Sequence, residues 1–596
     1  MILQDLCRHY DLLSGDPRCG IPPRYYSSAP VSYVFELSAD GRLLAVFPLY
    51  NMEGKRRIVE RLIVPEQVVR TQKPLANFLC DNSGYVLGVD DKGNPDRSME
   101  TFRAFQQLHE EVLRGVRDPG AIALLDFLRS HNPDDCTALP LQDYLPDLLK
   151  GGNIVFRLSG DEGYLHQRKA LREVWERYRM ENQSGTQAQC LVTGTIAPIA
   201  SVHPSVKGVV GAQSTGAAIV SFNADAYCSY GKEQSLNAPV SEEAAFKYTT
   251  ALNYLLSSKR NSMLLGDSTV VFWAERLGKE VSLLAELMGV GQGIEGEGTD
   301  EGTTQLLRDT LQRMRNGQPI TALELDQDVR IHILGLAPNA ARLSVRFYQT
   351  SSFGTLLRRF MQHHDDMQIV QDSQSVWVFP PLWKLMAETA VGGKRENVPN
   401  TLISSTMKAI LEATPYPHGL YHAILMRIRA EREINGTRAG IIKGCLIRWQ
   451  RRDGVEKEEY TVALNEESVQ KGYLLGRLFA LLEKAQLNAQ GSGLNRTIRA
   501  SYFSSASATP ATVFPQLLRL GQYHISKSDS NNWIDHEIGK VLDNLAVESD
   551  GSSNRWGFPS TLSLKEQGLF MLGYYQQRQD FYRPRKNTGE EKKEEK

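Results

Sequence analysis

Residues 466–489 read EESVQKGYLLGRLFALLEKAQLNA, and within them Leu474, Leu478, Leu481, Leu482 and Ala485 recur at the spacing that lines one face of an α-helix. The same spacing recurs at 401–413, 421–433, 533–547 and 562–581, where Trp533, Ile534, Ile538, Leu542, Leu569, Phe570 and Tyr574 offer apolar partners for that stripe. Residues 400–585 are therefore read as a helical bundle, and 586–596, a charge run without apolar residues, as a disordered tail. Upstream, GVGQGIEGEGTDEGT at 289–303 holds six glycines and four acids with no base, the composition of a flexible linker. Residues 1–288 mix elements. Short β-branched or aromatic runs at 33–37, 43–47, 57–64, 153–157, 189–196, 217–222 and 269–273 predict strands, the first two joined through Asp40-Gly41. Helices are expected at 161–182 and 241–257, the second capped by Ser241. Between linker and bundle, 304–399 carries a helix at 304–316 and a hairpin of 328–336 with 341–347. The fold class is α+β, a mixed α/β N-terminal region followed by a helical-bundle C-terminal domain.

The 596 residues are 41% apolar and 23% charged, and 68 Lys plus Arg nearly cancel 69 Asp plus Glu, a net charge of −1. A uniformly basic coat is excluded, so any nucleic-acid role must rest on local charge asymmetry. No eighteen apolar residues run together, and the opening stretch carries Asp5 and Asp11, so the expectation is a cytoplasmic protein without a membrane partner. Seven scattered cysteines without a CxxC pair predict free thiols and no zinc.

Apparent catalytic motifs fail on inspection. GAQSTG at 211–216 begins like a phosphate loop, but Ala217 and Ala218 stand where Lys and Ser/Thr would be needed. GQGIEG at 291–296 fits a dinucleotide glycine pattern, yet it follows a helical stretch and puts Glu295 where a pyrophosphate would sit. His109-Glu110 starts an HExxH site that Leu113 breaks. His363, His364, Asp365 and Asp366 follow a helix expected at 352–362 and read as a polar turn before a strand-like 367–370; the enzyme alternative is a metal-dependent nuclease centred on His364 and Asp365. Neither a catalytic residue, a metal site nor a cofactor is expected.

Basic groups concentrate locally. Residues 427–452 hold eight Arg or Lys against Glu431 and Glu433, and 477–527 hold six against Glu483, surpluses that suit either phosphate contact or a solvated face. In the hairpin, Arg330, His332, Arg342, Ser344 and Arg346 are expected on one face and Val329, Ile331, Ile333, Leu343, Val345 and Phe347 on the other. Residues 205–237, SVKGVVGAQSTGAAIVSFNADAYCSYGKEQSLN, crowd glycines with Gln213, Ser214, Thr215, Asn223, Gln234, Asn237, Tyr227, Tyr230, Lys207 and Lys232. Glycines allow close backbone approach, and amides can read base edges.

These residues resemble the large subunit of the type I-C CRISPR Cascade, an RNA-guided surveillance complex. The likeness is carried by ANFLCDNSGYVLG (76–88), the run 189–256 that contains the Gly-rich stretch, GDSTVVFWAE (266–275) and APNAARLSVRF (337–347). It implies a non-catalytic protein that reads the protospacer-adjacent motif in double-stranded target DNA, aids duplex opening, holds the displaced single strand and recruits a helicase-nuclease. Its partners would be a guide CRISPR RNA and the other Cascade backbone subunits, with base pairing reading the remaining sequence. Motif contact and strand separation are expected from Lys207, Gln213, Ser214, Thr215, Asn223 and Lys232, with Gln72, Lys73, Asn77 and Asn82 as a second loop. Backbone contact is expected from Arg342, Arg346, Arg496, Arg499 and Arg519, and the end of the bundle would be small-subunit-like. A pure scaffold within a ribonucleoprotein is the remaining alternative.

Overall fold

The strand β1 (Tyr26–Leu37) sends Tyr33, Phe35 and Leu37 into one apolar cluster and Ala29, Val31 and Val34 into another, so it is covered on both faces. It pairs antiparallel with β2 (Leu43–Pro48) along its second half. β3 (Tyr50–Glu53) and β4 (Arg56–Pro65) follow, the latter antiparallel to the first half of β1. β5 (Cys80–Asp81) pairs with β6 (Asn153–Leu158), which runs parallel to β1. The sheet order is β3-β4-β1-β6-β5, with β2 attached to β1. Helices Pro95–Val112, Pro119–Ser130 and Lys169–Glu181 cover this sheet with Phe102, Phe105, Leu124, Phe127 and Trp175. Phe78 stacks between Trp175 and His109, with ring centroids 5.0 Å from each.

The computed structural model describes all residues except 54–55, 69, 71–72, 92, 138–139, 184, 223, 290–300, 372–379, 456–459, 492–496, 528–530, 548–556 and 583–596. Most of the expected linker and the whole expected tail lie outside the described residues. Two units divide the chain: one comprises Met1–Ser257, Glu275–Leu277 and Pro338–Ser344, the other Ser258–Ala274, Gly278–Ala337 and Val345–Lys596. The first also contains a two-stranded ribbon of β7 (Gln187–Gln189) and β8 (Ile196–Pro198), and helices Ile2–Ser14 and Glu242–Ser257 joined by an Asp11–Lys247 ion pair of 2.9 Å.

The strands β9 (Ser262–Leu265), β10 (Ser268–Ala274), β11 (Arg330–Asn339) and β12 (Arg342–Ser352) form a sheet of order β12-β11-β10-β9, in the second unit except for the hairpin tip Pro338–Ser344. The helical part of the second unit centres on the helix Lys471–Gln490, buried nearly all round, against the helix Leu564–Asp580. Phe479, Phe503, Phe570 and Tyr574 meet edge-on there at 5.3–5.9 Å. Gly476 and Gly573 let the two backbones approach: a Cβ on Gly476 would strike the Phe570 carbonyl oxygen, and one on Gly573 that of Tyr473. The mixed α/β N-terminal region and the largely helical C-terminal region agree with the fold class expected from the sequence.

Several local expectations are corrected. Residues 189–196 are not one strand: Gln189 ends β7, Ile196 begins β8, and 190–195 turn between them, closed by Cys190 N donating to Thr195 O at 2.8 Å. At 217–222 only single bridges form, from Val206 to Ala217 and from Ala218 to Arg342. The helix expected from 161 starts at Lys169. The polar turn at 363–366 is helix, the last turn of Phe353–Met367, and residues 367–370 contribute no strand. In the hairpin Arg330 and Arg346 are exposed as expected, but two residues depart from the expected exposure. His332 is buried in contact with both Trp273 and Tyr348, its Nδ1 2.7 Å from the Tyr348 hydroxyl, while Val345 is 40% exposed. Alternation is kept at His332, which is the cross-strand partner of Trp273, but both faces of β11 are covered, so the face expected to be solvated is internal there.

Candidate nucleic-acid interface

The described residues of 199–237 fold mainly by local hydrogen bonding, with two short 3-10 helices, Asp225–Tyr227 and Gln234–Asn237, as their regular elements. Val206 and Ala217 exchange two backbone bonds of 2.9 Å, and the segment between them forms a loop ending in the Gln213–Gly216 turn, with Gly216 N donating to Gln213 O at 2.9 Å. Gly216 has φ +100°, and a Cβ there would sit 2.7 Å from Ser205 Cβ and 2.9 Å from Val206 O, so only glycine closes this turn. Asn253, on the helix Glu242–Ser257, braces the other end: its Oδ1 accepts from Lys207 N at 2.7 Å and its Nδ2 donates to Ser205 O at 3.2 Å. Lys207, Gln213, Ser214 and Thr215 are all exposed. Their polar heads are free of the core while the backbone beneath them is fixed.

Next to it in the first unit lies the hairpin tip 338–344. Ala218 N donates to Ala341 O at 3.1 Å, Leu343 N donates to Ala218 O at 2.9 Å, and the Arg342 guanidinium stands 4.2 Å from the Tyr227 ring centroid. The structure thus brings Arg342 together with the Gly-rich segment, through contacts more than one hundred residues apart in sequence. Lys232 is exposed on a further turn, and Asn223 lies outside the described residues. Below these loops His203 is buried, which holds its pKa down to about 4, and its Nδ1 lies 2.6 Å from the Tyr248 hydroxyl.

The second expected loop is of another kind. Gln72 lies outside the described residues and Lys73 is exposed. Asn77 is buried: its Oδ1 accepts from Val68 N and its Nδ2 donates to Gln67 Oε1, both at 2.8 Å. Asn82 caps the short helix Ser83–Val86, its Oδ1 accepting from Gly84 N at 3.1 Å. Between them the buried Asp81 accepts from the backbone N–H of both Asn77 and Asn82 and pairs with Arg70. Burial raises its pKa against the opposing pull of Arg70. The two amides hold the chain's own backbone.

Part of each basic stretch is internal: Arg438, Lys443, Arg448 and Arg477 are buried. Arg448 donates to Asp366 at 2.8 Å, the two side chains being 1% and 3% exposed, and also to the carbonyls of Ala409 and Thr414. Arg451 reaches the same carboxylate at 3.0 Å, and Arg438 pairs with Glu388 at 2.7 Å and with Glu431. Arg477 is buried, its Nε donating to Gln577 Oε1 at 3.0 Å. A buried guanidinium requires such partners, and they come from distant segments that a charge count along 427–452 does not see. Among the remaining candidates, Arg346 pairs with Asp267 at 3.2 Å, Arg499 donates to the Arg432 carbonyl, Arg519 is exposed, and Arg496 lies outside the described residues.

At the proposed nuclease centre, Asp365 is paired with Arg315 at 2.7 Å, His364 Nδ1 lies 3.2 Å from the same guanidinium, and burial lowers the His364 pKa. His363 is buried against the Tyr416 hydroxyl. Among the described residues no group of three or more His, Cys, Asp or Glu is placed to hold a metal ion, and no helix is long and apolar enough to cross a membrane.

Fold and loops together define a two-unit α+β protein that presents a braced, uncharged polar turn beside a cation on a hairpin tip. The sequence profile of the Cas_Csd1 family, described as CRISPR-associated protein, matches residues 6–582. The chain belongs to the Cas_Csd1 family of CRISPR-associated proteins. No curated protein matches it.

Proposed function

We propose that this chain is the non-catalytic large subunit of an RNA-guided CRISPR surveillance complex. In that complex it reads the protospacer-adjacent motif in double-stranded DNA through the turn Gln213–Ser214–Thr215. The observation that carries this reading is the contrast between a fixed backbone and exposed hydrogen-bonding heads at 207–216. A groove reader needs donors and acceptors held in register without satisfied partners of their own. Lys207 and Lys232 supply phosphate contacts that position the turn. Arg342 and the exposed Arg519 are assigned to nucleic-acid backbone, the latter to the displaced strand. Guide RNA, the backbone subunits and a helicase-nuclease complete the assembly. Replacing Gln213, Ser214 and Thr215 together by Ala removes little apolar area, so the subunit folds, while each lost base contact reduces discrimination by about 1–3 kcal/mol. Binding of a panel of flanking sequences by wild-type and variant complexes tests this; full discrimination by the variant would rule the turn out as reader.

A further inference from the structure

Tyr230 occupies a place that the motif-reading role of 207–216 leaves unexplained. Its side chain is 97% exposed, and its backbone has φ +55°, a left-handed conformation that favours Gly or Asn and that a bulky residue adopts only where surrounding structure enforces it. The enforcement is visible. Lys232 N donates to Ser229 O at 3.0 Å, closing a turn whose central residues, Tyr230 and Gly231, both have positive φ. One side-chain amide then clamps both ends: Asn237 Oδ1 accepts from Ser229 N at 2.9 Å, and its Nδ2 donates to Lys232 O and to Gln234 O, each at 3.0 Å. A strained turn, fixed at both ends, therefore holds an aromatic ring out into solvent beside the exposed Lys232. Tyr227, three residues earlier, lies under the Arg342 guanidinium, so this turn belongs to the same unit and the same loop system as the proposed reader.

We infer that Tyr230 is a stacking wedge: its ring takes the place of a lost neighbour against the first base unpaired beside the motif, and Lys232 holds the adjoining phosphate. An outward ring with a clamped backbone loses little freedom on contact, and every base offers a π-face, so the contact requires no particular sequence. The inference rests on the motif-reading role and adds to it the residue that begins strand separation.

The test uses the assembled, guide-loaded complex and a target duplex carrying 2-aminopurine at the first position beyond the motif, with base opening read by fluorescence. Y230F should open the duplex as wild type does, and Y230A and Y230G should open it about tenfold more slowly or worse. The glycine variant accepts the left-handed backbone without strain, so its loss cannot come from a collapsed turn. On a duplex with a mismatched bubble already placed beside the motif, the variants should recover. Unchanged opening in Y230G overturns the wedge, as does a defect that persists on the bubble, which would make the ring a binding or folding contact. Intact discrimination among flanking sequences with unchanged opening removes the Tyr230 role alone; no discrimination by the wild-type complex removes the reading role, and the wedge with it.

Discussion

Asn77 spends its amide inside the first unit, on Val68 N and Gln67 Oε1, whereas Gln213 holds its own at the surface. Asn77→Ala should therefore cost about 1–3 kcal/mol of stability through the groups it leaves unpaired, measured by urea unfolding, while preference among flanking sequences in the assembled complex stays as in wild type. A loss of preference at unchanged stability would make Asn77 a reader. His109 gives a pH dependence of defined sign. Its Nε2 accepts from Leu79 N at 2.9 Å and its Nδ1 donates to Phe105 O at 2.7 Å, so the buried ring is neutral, and burial lowers its pKa from 6.5 to about 4. Above about pH 6.5 the ring is neutral folded or unfolded and its contribution is complete; as pH falls toward 4 the unfolded chain takes the proton first and stability is lost, by about 2 kcal/mol at pH 5. Denaturation at neutral pH and at about pH 5 should show a shallower loss in His109→Gln; an equal loss would mean that other groups set the dependence.

At the scale of elements, the glycine contact between the helices Lys471–Gln490 and Leu564–Asp580 fixes how closely they lie. Gly476→Ala drives a methyl into the Phe570 carbonyl, which cannot give way as a side-chain tip could. It should destabilise the second unit by about 1–3 kcal/mol or more, read as a lower urea midpoint, with the first unit's transition unmoved; an unchanged midpoint would refute the close approach. The helices of this region were legible because apolar residues repeat with helical period: Leu474, Leu478, Leu481, Leu482 and Ala485 are all buried as that stripe requires. The glycines between them were not, because what a missing Cβ permits depends on a partner helix almost one hundred residues away. The same distance hid the Arg448–Asp366 pair, which turned a basic surplus on paper into an internal ion pair. In 205–237 the glycines and polar residues marked a segment that the structure shows as exposed loops, while Asn253, its brace, carried no local signal. Tyr230 was visible as an aromatic, but its left-handed backbone was not.

For the whole molecule, positive and negative charges nearly cancel, and some of the arginines that crowd the sequence, Arg438, Arg448 and Arg477 among them, are buried in the interior. Affinity from phosphate contact alone should then be modest, and specificity should come from a small uncharged surface held on a braced loop. The measurement that tests this most directly is equilibrium binding of target duplexes by the assembled, guide-loaded complex, with the guide-complementary stretch constant and the flanking trinucleotide varied through all combinations at fixed salt. The account requires a small set of flanks to bind at least about tenfold more tightly than the rest, each mismatch costing about 1–3 kcal/mol, with the preference abolished by alanine at Gln213, Ser214 and Thr215. Equal binding of every flank by the wild-type complex would contradict it and leave the chain a scaffold.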